Sequence, residues 1–377
     1  MLIKSQIFKT HKCDVLIAGA GPAGLASCFF LADKNLKIAI IDKHSETRYK
    51  LCAGGLTLKS INELKRIFNI NLSELIKNNI VSKKNSYLIT YKDKLIKKGR
   101  ARINYYISDR QKFDLYLLDK IRNFSNVQCF FDKKIINIKK DYAVLSNNDR
   151  IYFKYCINTT GVLGLFNFNK KRDNQIKTFS SDFKVNRKIN EIHFHYDNLN
   201  KGYGWCFPRE NSINIGVGGI NSEKEILNIF YVLKKRYEKY IISEYNQGFF
   251  YVNNNLKLNL IQNNKIINAG DSCGISGALF GEGIYYAFLT GYLAGLSINK
   301  SLETNKNFVK IYKTEIKKIL PEFYAEKLLS EMFNKLLYFC PVSVLKFFMS
   351  NYSNIIFDCA HGKRNFFMFK KKDCEFD

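Results

Sequence analysis

The chain has 377 residues, more than one small core can use, and its length points to about two domains. With 46% hydrophobic and 15% aromatic residues it can bury a sizeable core, which excludes a disordered or low-complexity chain. Lys and Arg number 60 against 33 Asp and Glu, a formal charge of +27, yet the charge is scattered with no arginine-rich arm or recognition motif, so nucleic-acid binding is not expected.

Val15–Ala18 reads as a short apolar strand, followed by the G-x-G-x-x-G turn Gly19, Gly21, Gly24 and a helix through about Ala32. Ile38–Ile41 is the second strand, and Asp42 closes it. Gly19 permits the tight turn, Gly21 lets backbone approach a pyrophosphate, and Gly24 lets helix and strand pack closely. The helix N-terminus offers unpaired N–H groups to phosphates. Asp42 stands where a carboxylate accepts hydrogen bonds from an adenosine ribose.

Lys50-Leu-Cys-Ala-Gly-Gly-Leu56 is a Gly-rich loop, and 61–80 carries a helical pattern. Residues 85–107 alternate as short strands with Lys-rich turns. Asp109–Phe124 is expected as a helix with Asp109 as its cap. Short strands follow at Gln128–Phe131, Lys133–Ile138, Ala143–Leu145 and Ile151–Phe153, and Tyr155–Gly161 reads as a strand and turn returning to the nucleotide. Residues about 175–220 alternate strongly, as strands of a second sheet do. Tyr203, Trp205 and Phe207 fall on one face of such a strand, as core or as a cavity wall. His193 and His195 also share a face, but two ligands do not close a metal site. Glu223–Ile242 has the spacing of an amphipathic helix.

Ile266–Ala269 ends a strand, Gly270-Asp271 turns, and Gly281-Glu282-Gly283 opens another helix. A nicotinamide dehydrogenase has no need of this second element. A flavoprotein does: Asp271 can bind a ribityl hydroxyl, and a helix N-terminus near Gly283 stabilises negative charge on a reduced flavin. Glu282 reads as a brace for that helix. Residues 304–377 look mainly helical and carry no placeable motif. Ten cysteines without a C-x-x-C pair fit a reducing compartment. No signal peptide is expected ahead of the first strand, Gly274-Ile-Ser-Gly lacks nucleophile-elbow spacing, and Gly216-Val-Gly-Gly lacks the spacing of a second nucleotide turn. Tyr285–Ile298 and Leu336–Met349 are too short or too interrupted to span a bilayer, leaving peripheral membrane contact open.

Three stretches carry a family resemblance. Lys50–Leu56 resembles a K-x-C-G-G-G-L loop with Ala53 in place of one glycine, Asp109-Arg-Gln-Lys-Phe-Asp114 resembles D-R-x-x-F-D, and Tyr203-Gly-Trp-Cys-Phe-Pro208 matches Y-x-W-x-F-P. With the two FAD motifs, the chain over about 12–300 resembles FAD-dependent oxidoreductases of the p-hydroxybenzoate hydroxylase type, and among them the geranylgeranyl reductase family. The resemblance implies an α/β fold. A Rossmann-like FAD-binding domain (1–84, 108–174 and 262–303) would interleave with a mainly antiparallel β-sheet substrate domain (85–107 and 175–261), followed by a helical C-terminal region (304–377). It implies FAD contacts from Gly19, Gly21, Pro22, Ala23, Gly24, Asp42, Lys43, Cys52, Ala53, Gly54, Gly55, Arg110, Gly161, Asp271, Gly281, Gly283 and Ile284. Tyr203, Trp205 and Phe207 would line a prenyl cavity beside the flavin, with Cys52 as a further catalytic candidate.

The expected reaction is reduction of carbon–carbon double bonds in a polyprenyl group by hydride from reduced flavin. The substrate would be a prenylated lipid or prenyl diphosphate, and Arg209 is a candidate for its charged head. NADPH or reduced ferredoxin would supply electrons, in the cytoplasm or peripherally on the inner face of a membrane. Cys52 has two readings, a small buried hydrophobe or a thiol that shapes the pocket or donates a proton. The rivals are a flavin-dependent monooxygenase of the same fold and a non-redox or tRNA-modifying flavoprotein. Thr160-Gly161 stands where many hydroxylases carry Asp-Gly, which disfavours the first.

Overall fold

Val15–Ala18 and Ile38–Ile41 are unbroken aliphatic runs, so each suits a strand buried on both faces. In the computed structural model, which describes residues 9–165, 175–197, 199–253 and 258–366, they lie at the centre of a largely parallel sheet. Its strand order is Ile261–Asn263, Ile266–Asn268, Tyr155–Asn158, Val15–Ala18, Ile38–Ile41, Val127–Phe130, antiparallel only in the first pair. The helix Pro22–Ala32 lies on this sheet and against the helix Ile284–Thr304. These two helices approach so closely that a Cβ on Gly291 would sit 2.2 Å from the Ala23 carbonyl oxygen. A small sheet of Thr10–Lys12, Arg150–Tyr152, Tyr142–Leu145 and Ile135–Ile138 flanks the opposite side.

The second large sheet runs Ile241–Asn253, Gln175–Val185, Ser212–Gly219, Tyr203–Pro208, Glu191–Tyr196, Val81–Tyr91, Lys94–Ser108, Gly55–Leu56. All its neighbours are antiparallel except Glu191–Tyr196 beside Val81–Tyr91. The helix Glu223–Lys235 begins with a reciprocal Ser222–Glu225 capping box and packs Phe230 and Leu233 with Phe179 and Phe183 of the sheet. The other face carries Phe194, Trp205 and Phe207 and is covered in part by the last helix, Val342–Ala360, through Leu345, Met349 and Phe357. That helix follows the long helix Phe308–Phe339, in agreement with the helical expectation up to Ala360. The end of the expected helical region, 367–377 with Cys374, lies outside the described residues.

Two sequence expectations need correction. Residues 85–107 are not short strands: Val81–Tyr91 and Lys94–Ser108 form one long hairpin that begins ahead of the boundary drawn at 85. Its turn, Lys92-Asp93, takes left-handed conformations at φ 47° and 63°, with residue types that do not announce a tight turn. The helix expected over Glu223–Ile242 stops at Lys235, because Ile241 opens a strand paired with Val185. Asp109 does cap the helix Arg110–Arg122, accepting from the Gln111 and Lys112 amides.

Candidate functional site

The nucleotide turn is built by contact as much as by conformation. A Cβ on Gly24 would lie 1.9 Å from the Gly19 carbonyl oxygen and 2.9 Å from Thr159 Oγ1, so no side chain fits there. Thr159 Oγ1 in turn donates to the Ala18 and Gly19 carbonyls at 2.9 and 2.7 Å. Asp42 is buried and engaged: it accepts from the Ala20 amide at 2.8 Å, the His44 amide at 2.9 Å and Arg48 Nη1 at 3.2 Å. A carboxylate accepts at about four positions, so with three filled Asp42 braces the turn and keeps room for one further donor. Arg48, absent from the sequence reading, is the bridge. Its Nη2 reaches Asp114 at 3.3 Å, and the buried Arg110 grips both Asp114 oxygens at 2.9 to 3.1 Å. Asp42, Arg48, Asp114 and Arg110 thus form one chain of alternating charge behind the turn.

Between this turn and the second sheet lies a cavity of about 240 Å³. It brings together Pro22, Cys52, Ala53, Gly55, Arg110, Asp271, Gly281, Gly283 and Ile284 with Tyr203, Trp205 and Phe207. Of the other expected residues, Gly19, Gly21, Ala23, Gly24, Asp42, Lys43, Gly54 and Gly161 do not line it. Gly161 faces open space, with nothing within 4 Å of an added Cβ, and Ser272 Oγ ties its amide at 2.8 Å to the Asp271 turn. A Cβ on Gly281 would meet only Tyr203 Oη, at 3.7 Å, and one on Gly283 only Asp271 Oδ1, at 3.6 Å. Burial pushes the Asp271 carboxyl up, while Lys50 and Arg110 pull the other way. Open backbone at Gly161, Gly281 and Gly283, a half-buried carboxylate at the cavity edge and helix N-termini at Pro22 and Ile284 suit the phosphates and ring of FAD.

The aromatic wall is held by hydrogen bonds at its edges. Tyr203 Oη donates to the Phe280 carbonyl at 2.6 Å, and Trp205 Nε1 donates to Asn214 Oδ1 at 2.7 Å. Asn214 Nδ2 donates to Asp182 at 2.7 Å, and Asp182 pairs with Arg209 at 2.9 Å and accepts from Tyr49 Oη. Arg209 then donates to the Cys52 carbonyl at 3.2 Å. Arg209 is therefore not a free cation for a lipid head, contrary to its sequence reading: it is buried and committed to Asp182, tying the wall to the Cys52 loop. The Cys52 thiol accepts from the Gly54 amide at 3.4 Å and lies beside the Arg110 guanidinium.

Further lining residues escaped the sequence reading. Phe194, Phe280 and Phe333 widen the aromatic wall. Tyr105 lines the cavity with a buried hydroxyl that has no partner among the described residues, and burial keeps that hydroxyl protonated. Its alternation along Lys94–Ser108 was the available signal, but it gave no hint of which face would meet a cavity. Glu282 braces its helix by accepting from Thr57 and Ser60 and pairing with Lys59 at 2.9 Å. His193 and His195 are drawn together away from the cavity by the Tyr237 hydroxyl, at 2.6 and 2.7 Å.

Residues 12–113 match the FAD binding domain family. The chain is 29% identical to an uncharacterised protein of Methanosarcina barkeri over 78% of this chain and 76% of that one. It is 25% identical to a digeranylgeranylglycerophospholipid reductase of Methanococcus vannielii over 81% and 82% of the two chains. Among solved structures, a geranylgeranyl bacteriochlorophyll reductase-like protein of Thermoplasma acidophilum superposes with a TM-score of 0.74 at 18% identity, over 96% of this chain and 94% of that one. The halogenase PltM also shares the fold, with a TM-score of 0.72 at 13% identity over 93% and 84%. At these identities the structural likenesses establish the fold alone.

Proposed function

We propose that this FAD-dependent oxidoreductase, a relative of the geranylgeranyl reductases, reduces carbon–carbon double bonds of a geranylgeranyl or other polyprenyl group. The substrate would be a prenylated lipid or a prenyl diphosphate. The observation that carries this reading is the shared cavity, in which Tyr203, Trp205 and Phe207 face the same space as Cys52, Arg110, Asp271 and Gly283. An aromatic wall suits an extended alkenyl chain.

Reduced FAD, when bound, supplies a hydride to one alkene carbon. The glycines of the first turn, Pro22, Ala23, Asp42, Lys43, the 52–55 loop, Arg110, Gly161, Asp271, Gly281, Gly283 and Ile284 are proposed to hold it. An isolated alkene is a poor hydride acceptor, so alignment against a rigid wall contributes much of the rate. The Asn214–Asp182–Arg209 chain provides that rigidity by fixing Trp205 and the Cys52 loop to one another. The proton for the second carbon would come from water or from the Cys52 thiol. Electrons would come from NADPH or reduced ferredoxin, and the formal charge of +27 suits an acidic ferredoxin.

Halogenases and monooxygenases share the fold, so the second reading is oxygen-dependent hydroxylation. One experiment separates them: reduce the purified flavoprotein without oxygen, add a geranylgeranyl lipid, and then admit oxygen. Reoxidation of the flavin by the lipid alone, with a saturated product, supports the reductase. Reoxidation by oxygen alone, with a hydroxylated product, supports the alternative.

A further inference from the structure

The long helix Phe308–Phe339 stands between the cavity and the surface. Its inner side contributes Ser330, Phe333 and Asn334 to the cavity, while Leu328 and Met332 on its outer side are 63% and 59% exposed. On either side of the Cys340-Pro341 turn, Tyr338 and Phe339 (82% and 76% exposed) end the long helix and Val344 and Phe347 (42% and 69%) stand in the first turns of the last one. Single exposed apolar residues are ordinary, but this many gathered on one helical hairpin call for a partner.

The hairpin is fastened, not loose. Tyr91 Oη donates to the Leu337 carbonyl at 2.6 Å, and Lys97 Nζ donates to the Met349 and Ser350 carbonyls at 3.3 and 2.9 Å. Those bonds also bring the Lys92–Leu95 strand tip beside the patch. There Lys92, Lys94, Lys335 and Lys346 are all exposed. The neighbouring acids are already neutralised: Asp93 pairs with Arg236, and Glu331 with Lys201 at 2.8 Å. The result is an aromatic and aliphatic patch with a cationic rim.

We propose that this hairpin face docks on an anionic lipid membrane, with Tyr338, Phe339 and Phe347 entering the headgroup boundary and the lysine rim meeting lipid phosphates. Aromatic and aliphatic insertion combined with Lys attraction is the chemistry of an interfacial contact. No helix among the described residues is long and apolar enough to cross a membrane, so the contact lies on the surface. A second copy of the chain is a poorer occupant, because two bodies of formal charge +27 repel. Docking does not depend on the reductase reading. Its consequence, that the cavity fills with a prenyl chain drawn from the membrane behind the same helix, rests on that reading.

The test uses the full FAD-loaded chain and vesicles of phosphatidylglycerol and phosphatidylcholine in equal parts. Wild type is expected to co-sediment with them and only weakly with pure phosphatidylcholine. The Tyr338→Glu, Phe339→Glu, Phe347→Glu variant, with its flavin spectrum and melting temperature retained, is expected to lose affinity by at least about tenfold. Equal binding by variant and wild type overturns the proposal. So does a wild-type dimer by light scattering that the same substitutions dissociate, which would make the face a self-interface. The variant should also lose turnover of vesicle-embedded geranylgeranyl lipid while keeping turnover of detergent-dispersed lipid. Vesicle binding that persists when the lipid is never reduced would sink the reductase reading and leave docking standing.

Discussion

The Trp205 indole donates to the Asn214 side chain at 2.7 Å, so the centre of the aromatic wall is held by a residue that does not line the cavity. Through Asp182 and Arg209 the same chain reaches the Cys52 carbonyl and ties the wall to the Gly-rich loop. Replacing Trp205 by Ala is expected to abolish prenyl binding while leaving FAD content unchanged. A flavin-perturbation titration with a geranylgeranyl lipid checks this, and normal turnover by the variant would refute the wall assignment.

Asp182 is fully buried and paired with Arg209. Arg209→Met is expected to cost about 3–5 kcal/mol of stability, because it strands a buried carboxylate. A second replacement, Asp182→Leu, should recover part of the loss. Urea denaturation of the single and double variants measures both.

Asp271→Ala is expected to purify poor in flavin. Asp271 is a half-buried carboxylate at the cavity edge with Gly283 against it. The ratio of flavin to protein absorbance reads the outcome, and full retention would count heavily against the cofactor placement.

Cys52→Ala is expected to slow flavin reoxidation by the prenyl lipid and to change its solvent isotope effect, with Cys52→Ser intermediate. If both quantities match wild type, the thiol neither donates the proton nor shapes the pocket.

Stability should fall as the solution is acidified from about pH 6.5 toward 3. Burial pushes both His361 and His195 down to about 3, His361 with help from Lys59 and Lys363 and His195 from His193 and Arg236. Below 6.5 the unfolded chain binds protons that the folded chain refuses, so unfolding gains as pH drops, and the loss is complete only below the folded value. His361 Nδ1 accepts from the Leu58 amide at 3.0 Å, so His361→Gln keeps an acceptor there while removing the titration. Melting temperature against pH should show a shallower slope for that variant.

The first turn was legible because its signals are contiguous: an aliphatic strand, three glycines, a helix and a closing acid within one short stretch. Asp109 was legible as a cap for the same local reason. Period-two alternation marked Tyr203, Trp205 and Phe207 as one face, but could not say whether that face met core or cavity. The Lys92-Asp93 turn and the end of the helix at Lys235 were missed because pairing with distant strands, not local preference, decides them.

By itself the sequence determined the nucleotide turn, the second turn at Asp271 and the strand that carries the aromatic trio, since each follows from backbone freedom or side-chain period over a few residues. Only the tertiary structure decided the partners. Arg209 meets the Cys52 loop across 157 residues, Glu282 meets Thr57 across 225, and Leu58 meets His361 across 303. Such contacts form where the folded sheets and helices happen to converge, and there burial and charge pairing override any preference a local stretch can express.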